Sequence, residues 1–299
     1  MRFKHVAIVG VGLIGGSFAL AARRAGLAER ITGWDRKDAL DEARARGVID
    51  GIESTFDSDR VSEADLIYLA APVGAILNFL RTRANSLKPG AIVTDAGSTK
   101  REICRAAREA LPHEVAFVGG HPMAGSERTG IEFADADLFS GAAYALVADG
   151  GPDSDAMRAV TQVVSSIGAN PIAMTAERHD RIAARISHTP EMLSIALALA
   201  VARTGEAETL ALAGSGFMEM TRLAESRWSV WEDICRTNAD EVSSALDEAI
   251  AEIEAVRAAI FSGDFAALSE MFDAAGTLMR RFHDQRKHNA DSSGRLEGK

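Results

Sequence analysis

The sequence predicts an α/β domain over residues 1–172 followed by an all-helical domain over 173–287. Three observations carry this. In the first part, short apolar runs alternate with helical segments, the pattern of strands in one sheet covered by helices. In the second, none of the chain's seven prolines lies beyond Pro190, so long helices run unbroken. The total of 299 residues suits two domains of roughly 150 residues each.

The first strand is read from Val6, Ala7, Ile8 and Val9, a continuous aliphatic run of the kind a buried parallel strand needs. It leads into "GVGLIGGS", where Gly10, Gly12 and Gly15 stand at G-x-G-x-x-G spacing. "SFALAARRAG" then reads as a helix with Phe18, Leu20 and Ala21 turned inward and Gly26 capping its C-terminus. "RITGW" is the second strand, and Asp35 follows it, 20 residues beyond Gly15. Together these parts make a Rossmann-type dinucleotide-binding turn. Gly10 gives the tight turn, Gly12 lets the backbone approach a pyrophosphate, Gly15 lets the helix lie close to the sheet, and Asp35 meets a ribose hydroxyl. Leu13 and Ile14 open the helix, whose free N–H groups and partial positive charge face the phosphates. Asp35 repels a 2′-phosphate and favours NAD, whereas Arg36 beside it could pair with that phosphate. NAD is therefore expected, with NADP as the alternative.

The remaining strands are read from "LIYLAAP", "AIVTDAG", "AFVGG", "YALVA" and "NPIAM". Ala71 and Pro72 end the first of these in small residues, a loop able to lie along a nicotinamide without crowding it. Helices are expected over 190–203 and 237–262. In the second, Val242, Leu246, Ile250, Ile253, Val256 and Ile260 recur at three- and four-residue steps. That stripe is read as core packing, with some of the apolar helix surface set against a second subunit. Residues 288–299, "HNADSSGRLEGK", lack apolar periodicity and are expected to form a frayed tail.

With 33 basic and 43 acidic side chains, the formal charge is -10, which argues against nucleic acid or an anionic membrane as the main partner. Cys104 and Cys235 stand far apart without metal-ligand spacing, so neither a disulfide framework nor a metal site is expected. The longest apolar stretch, "MLSIALALAVA", falls short of the ~20 residues that span a bilayer. The N-terminus is read as entering a strand at once, so no signal peptide is expected. A cytoplasmic protein acting on a small molecule is expected.

Ligands of open α/β sheets sit beyond the carboxyl ends of the strands. Two such ends carry reactive side chains. In "TDAGSTK", Thr99 and Glu102 fit a capping box for the helix that follows, which leaves Ser98 to face a cleft. In "VGGHPMAGSERTG", His121 follows two glycines and is held extended by Pro122. An imidazole with an ordinary pKa of about 6.5 suits proton transfer near neutral pH. Further on, "ISHTPEML" presents His188 and Glu191 at a helix start, and "GSGFMEMTRLAES" presents Arg222. Arginine holds planar carboxylates by paired hydrogen bonds, although an ion pair with Glu219 or Glu225 is the plainer use of Arg222.

The motifs "GVGLIGGS", "DAGSTK", "GGHPMAGSERTGIEFADADLF", "ISHTP" and "GFMEMTRLA" occur in an order that resembles the prephenate and arogenate dehydrogenases of tyrosine biosynthesis, over nearly the whole chain. The resemblance implies NAD(P)-dependent oxidative decarboxylation of a cyclohexadiene, prephenate to 4-hydroxyphenylpyruvate, or arogenate to tyrosine, in a homodimer formed through the helical domain. It implies that His121 accepts the proton of the ring hydroxyl, that Ser98 orients that hydroxyl or His121, and that Arg222 binds a substrate carboxylate. His188 would support the substrate pocket, and Ser126 and Glu127 would join it. Two positions depart from the family's pattern: Glu191 stands where a second histidine is common, and Met218 where a basic residue is common. Both make the pocket less positive, a change that favours the ammonium of arogenate, which Glu127 could also contact.

Two other readings compete. Related dehydrogenases that use a lysine from the helical domain are disfavoured, because residues 182–279 contain no lysine. A non-catalytic NAD sensor would keep the fold and lose the chemistry. Such a module would bind NAD without turning over a cyclohexadiene.

Overall fold

The computed structural model describes residues 2–54, 63–125, 128–147 and 154–294. The chain divides into two compact units, Met1–Asp180 with Trp228–Thr237, and Arg181–Arg227 with Asn238–Lys299. The division at Asp180 falls later than the expected 172, and one helix from beyond residue 227 belongs with the first unit.

The first unit is built on eight strands: β1 (Phe3–Val9), β2 (Ala28–Trp34), β3 (Gly51–Ser54), β4 (Leu66–Leu69), β5 (Ile92–Asp95), β6 (Ala116–Pro122), β7 (Ala143–Val147) and β8 (Asn170–Ala173). Their order in the sheet is β3-β2-β1-β4-β5-β6-β7-β8. All pairings are parallel except β6 with β7, where His121 lies opposite Ala145. Strand order reverses direction between β1 and β4, the switch point at which doubly wound sheets bind ligands. Seven strands match the runs read from the sequence. The eighth, β3, is a four-residue edge strand in "GIES", too short to give a clear apolar pattern.

Helices α1 (Leu13–Arg24), α2 (Lys37–Ala45), α3 (Val73–Arg83), α4 (Arg101–Ala110), α5 (Asp155–Ser166) and α6 (Ala176–Ala183) follow the strands. Because strand side chains alternate, neighbouring residues feed two cores. Val6, Ile8, Leu66 and Tyr68 pack with Phe18 of α1 on one face. Ala7, Val9, Ile67 and Leu69 pack with Ile76 and Leu80 of α3 on the other. Gly26 takes a left-handed φ of 64°, and its N–H bonds the Arg23 carbonyl, closing α1 as expected.

In the second unit a π-helical turn, Ala184–His188, precedes α7 (Thr189–Ala202). The helices α8 (Ala207–Ala211) and α9 (Ser215–Thr221) follow, then α10 (Trp228–Thr237), which joins the first unit, and α11 (Ala239–Ser262) and α12 (Phe265–Gly294). The expected helices 190–203 and 237–262 are thus α7 and α11, displaced by a residue or two. Reading the α11 stripe as core holds only at its start: Val242 and Ala245 are buried beside Ala184, with Leu246 against them. Ile250, Ile253, Val256 and Ile260 are 37% to 58% exposed, since among the described residues nothing covers that end of the helix face. The helix α12 continues to Gly294, into the segment expected to be a tail, and 295–299 lie outside the described residues. Among the described residues no helix is long and apolar enough to cross a membrane, and no cluster could hold a metal ion.

Candidate active site

The glycine turn has the geometry a dinucleotide needs. Gly10 sits at a φ of 90°, and a Cβ there would stand 2.5 Å from the Ala70 carbonyl oxygen, so only glycine closes this turn. A Cβ on Gly15 would collide with the Gly10 carbonyl oxygen, which holds α1 tightly against the turn. A Cβ on Gly12 meets nothing within 4 Å. The space beside Gly12 is an open cradle, and Gly12 is also the N-cap of α1, with no side chain capping the helix. The first-turn N–H groups of Leu13 and Ile14 lie at that end, with no acidic side chain in the first turn. The Asp35 carboxylate accepts hydrogen bonds from the N–H groups of Val11, at 2.9 Å, and Arg36, at 2.6 Å. It thereby ties the end of β2 to the turn, beside the cradle. Pro72 N-caps α3 directly after Ala71, at the end of β4. These residues fit a dinucleotide.

At the ends of β5 and β6 the structure brings together residues the sequence reading passed over. Asp95, the last residue of β5, and Lys100 are both fully buried and form an ion pair. The Asp95 carboxylate also accepts hydrogen bonds from Gly97 N–H at 2.8 Å and Gly120 N–H at 2.9 Å. Lys100 Nζ donates to the Gly120 carbonyl at 2.6 Å. Both backbone groups of Gly120 are thus clamped, one residue before His121. Gly120 must be glycine, because a Cβ would collide with the Asp95 carbonyl oxygen.

His121 lies within β6, not after it, and is half-buried. Its Nδ1 stands 2.9 Å from Nε2 of His179, whose Nδ1 stands 2.8 Å from Asp180 Oδ1. His179 is 3% exposed and Asp180 0%. Asp180 also accepts from Lys100 N–H at 2.6 Å, from Arg101 N–H at 3.0 Å and from Arg101 Nε at 3.2 Å. Burial pushes the Asp180 carboxyl up, but the hydrogen bonds from His179, Arg101 N–H and Lys100 N–H outweigh it and hold it below the usual carboxylate range.

This overturns the capping box expected at Thr99 and Glu102. The first N–H groups of α4 are capped by Asp180, from a distant part of the sequence. Thr99 Oγ1 instead meets Thr237 Oγ1 at 2.8 Å, and Glu102 pairs with Arg105 at 2.6 Å. A carboxylate on both N–H groups satisfies them better than a single hydroxyl does. Ser98 is half-buried, and among the described residues its hydroxyl makes no hydrogen bond, to His121 or otherwise.

In the second unit His188, 1% exposed, ends the π-turn, and its Nδ1 lies 3.4 Å from Asn238 Nδ2. Single π-turns inside helices recur at functional sites. Glu191, in the first turn of α7, is also buried and accepts a hydrogen bond from Ser226 Oγ at 3.2 Å. Burial raises its pKa, against the Ser226 hydrogen bond and the charge of Arg222. Arg222 is exposed and opens the turn after α9, so its field acts on Glu191, an acidic neighbour outside the pair weighed from sequence. Ser126 and Glu127 lie outside the described residues.

Two family models match the chain: "Prephenate dehydrogenase, nucleotide-binding domain" over residues 18–173, and "Prephenate dehydrogenase, dimerization domain" over 175–274. The chain is 35% identical over 277 residues to a prephenate dehydrogenase of Bacillus subtilis, covering 90% of this chain and 74% of that protein. It is 31% identical over 291 residues to a cyclohexadienyl dehydrogenase of Zymomonas mobilis, covering 95% of this chain and 99% of that one. A crystal structure of prephenate dehydrogenase from A. aeolicus, in complex with hydroxyphenyl propionate and NAD+, superposes with a TM-score of 0.87 at 27% identity. That match covers 94% of this chain and 99% of the other.

Proposed function

The chain belongs to the prephenate dehydrogenase family, and on that premise we propose that it catalyses the NAD-dependent oxidative decarboxylation of prephenate to 4-hydroxyphenylpyruvate. The observation that carries this reading is the pairing of an open dinucleotide cradle at Gly12 with a histidine clamped at the end of β6. Bound at the glycine turn, the nicotinamide supplies the hydride acceptor. His121 takes the proton of the ring hydroxyl as the hydrogen on the same carbon departs as hydride, a role worth roughly 10²–10⁴ in rate. The ring carboxylate then leaves as carbon dioxide, the electron pair of that bond makes the ring aromatic, and the phenolate oxygen takes back the proton held by His121, giving the phenol of the product. Ser98, whose hydroxyl makes no hydrogen bond among the described residues, orients the ring hydroxyl. Arg222 holds a substrate carboxylate, and His188 supports the pocket. Asp35 at the end of β2 favours NAD over its 2′-phosphorylated form.

A second substrate is favoured by one observation. Glu191 is a buried carboxylate where a histidine is common, and a negative group there suits the ammonium of arogenate. Replacing Glu191 by histidine shifts preference toward prephenate if this is right, and leaves the kcat/KM ratio of the two substrates unchanged if it is wrong.

The enzyme acts as a homodimer through its helical unit. Support comes from the exposed apolar face of α11 together with Phe265, Phe272 and Phe282 on α12. Cys104 and Cys235, not joined in a disulfide, fit the reducing cytoplasm. Nicotinamide reduction measured with prephenate and arogenate, each against NAD and NADP, tests the whole reading.

A further inference from the structure

We propose that His179 and Asp180 are positioning residues that fix His121 as its Nδ1–H tautomer and take up part of the positive charge formed when it accepts a proton. The proposal deepens the reading of His121 as the base and rests on it for its kinetic consequence.

Hydrogen-bond logic assigns the tautomers. Asp180 receives Lys100 N–H, Arg101 N–H and Arg101 Nε–H, a set that suits an ionised carboxylate, which can only accept. His179 must therefore donate to it from Nδ1, across 2.8 Å. A neutral His179 then carries its lone pair on Nε2, so the 2.9 Å contact requires His121 to donate from Nδ1. The lone pair of His121 is left on Nε2, the nitrogen that accepts the hydroxyl proton. When that proton arrives, the Nδ1–H bond to His179 becomes charge-assisted. Alternatively the Nδ1 proton passes to His179 Nε2, leaving His121 neutral and forming an imidazolium against Asp180.

Burial makes this geometry effective. His179 and Asp180 are almost fully removed from water, so their dipole and charge are poorly screened. Among the described residues, the charged and titratable groups around the relay include Arg101 on Asp180, the Lys100–Asp95 pair clamping Gly120, and the Cys104 thiol beside Gly119. The Arg101 and Lys100 N–H groups hold both Asp180 oxygens, which fixes the carboxylate that orients His179.

Two variants test it. His179→Leu removes the acceptor for His121 Nδ1–H, and His179→Gln offers an acceptor that cannot take a proton. The first readout needs no substrate: long-range proton–nitrogen NMR of the histidine rings in the unliganded protein. His121 is expected to be Nδ1–H in the wild type and to turn to the Nε2–H form in His179→Leu. A wild-type His121 in the Nε2–H form, or one unchanged by His179→Leu, overturns the proposal. The second readout is kinetic. His179→Leu is expected to lose about 10²-fold in kcat with KM nearly unchanged, within the range a positioned base contributes. Its acidic limb in kcat/KM moves to lower pH, because protonated His121 has lost its support, and His179→Gln falls between. An unmoved limb with unchanged kcat overturns the proposal, whereas a wild type that turns over no cyclohexadiene overturns the reaction and leaves the NMR result to judge the relay. If His179→Leu does not fold, the same NMR spectrum of His179→Gln decides, the Nδ1–H form of His121 persisting there if the proposal holds.

Discussion

Replacing Lys100 by methionine takes away the ammonium that faces the buried carboxylate of Asp95, at a site where both side chains are 0% exposed. Asp95 keeps the N–H groups of Gly97 and Gly120, but its charge loses its counter-ion, and the Gly120 carbonyl loses its donor. Breaking a buried pair from one side costs about 3–5 kcal/mol, against a total stability of about 5–15 kcal/mol. For a unit of this size, that corresponds to a fall of about 6–20 °C in Tm. Adding Asp95→Asn to Lys100→Met removes the stranded charge and recovers at least about 1 kcal/mol. Urea unfolding of the wild type, the single variant and the double variant measures each term. Because Gly120 adjoins His121, kcat falls in the single variant even where the protein remains folded. A Lys100→Met variant within 1 kcal/mol of wild type, or a double variant less stable than the single, would refute the view that this pair anchors the end of β6.

Four further outcomes are expected. Gly12→Val leaves Tm nearly unchanged, since its Cβ enters open space, but weakens NAD binding, whereas Gly15→Val damages both; equal effects in calorimetry and titration would contradict the assigned roles. Asp180 has a lowered folded-state pKa, so its stabilisation is complete above the unfolded-state value of about 3.9 and is lost as pH falls through the lower folded value. Asp180→Asn is accordingly less stable at neutral pH and shows a flatter loss of stability in acid, followed by circular dichroism. Glu191 has a raised pKa, so its contribution is present below the unfolded-state value of about 4.3 and is lost as pH rises through the folded one; Glu191→Gln keeps or gains Tm at pH 7, and a large loss there speaks against a strained buried carboxylate. Ile253→Glu with Phe272→Glu turns a dimer into a monomer in sedimentation if the α11 and α12 faces meet a second copy, and leaves the mass unchanged if they do not.

Much of the first unit was legible because its signals are local. The run Val6–Val9 and the three glycines each impose a backbone requirement within a few residues, and Gly10 and Gly15 meet theirs in the structure. The strand β3 was not legible, because four residues at a sheet edge carry too little apolar periodicity. The capping box failed for a different reason. Thr99 and Glu102 had the right spacing, but a carboxylate 80 residues away in sequence took the helix N–H groups, and tertiary contacts outrank local propensity. The same distance hid His179 and Asp180: adjacent in "AERHD", they look like ordinary polar helix residues until folding sets them against His121. A histidine followed by an aspartate near a helix start was the one available signal. The α11 stripe is core only at its start, because apolar periodicity gives a helix face its composition and does not say whether the rest of the chain covers it.

The most direct test of the proposed chemistry is nicotinamide reduction by the purified protein, followed by absorbance with prephenate and NAD, in the wild type and in His121→Asn. Turnover in the wild type that falls by about 10²–10⁴ in the variant, with NAD binding preserved, is the predicted result. Tight NAD binding without turnover of either prephenate or arogenate would contradict it.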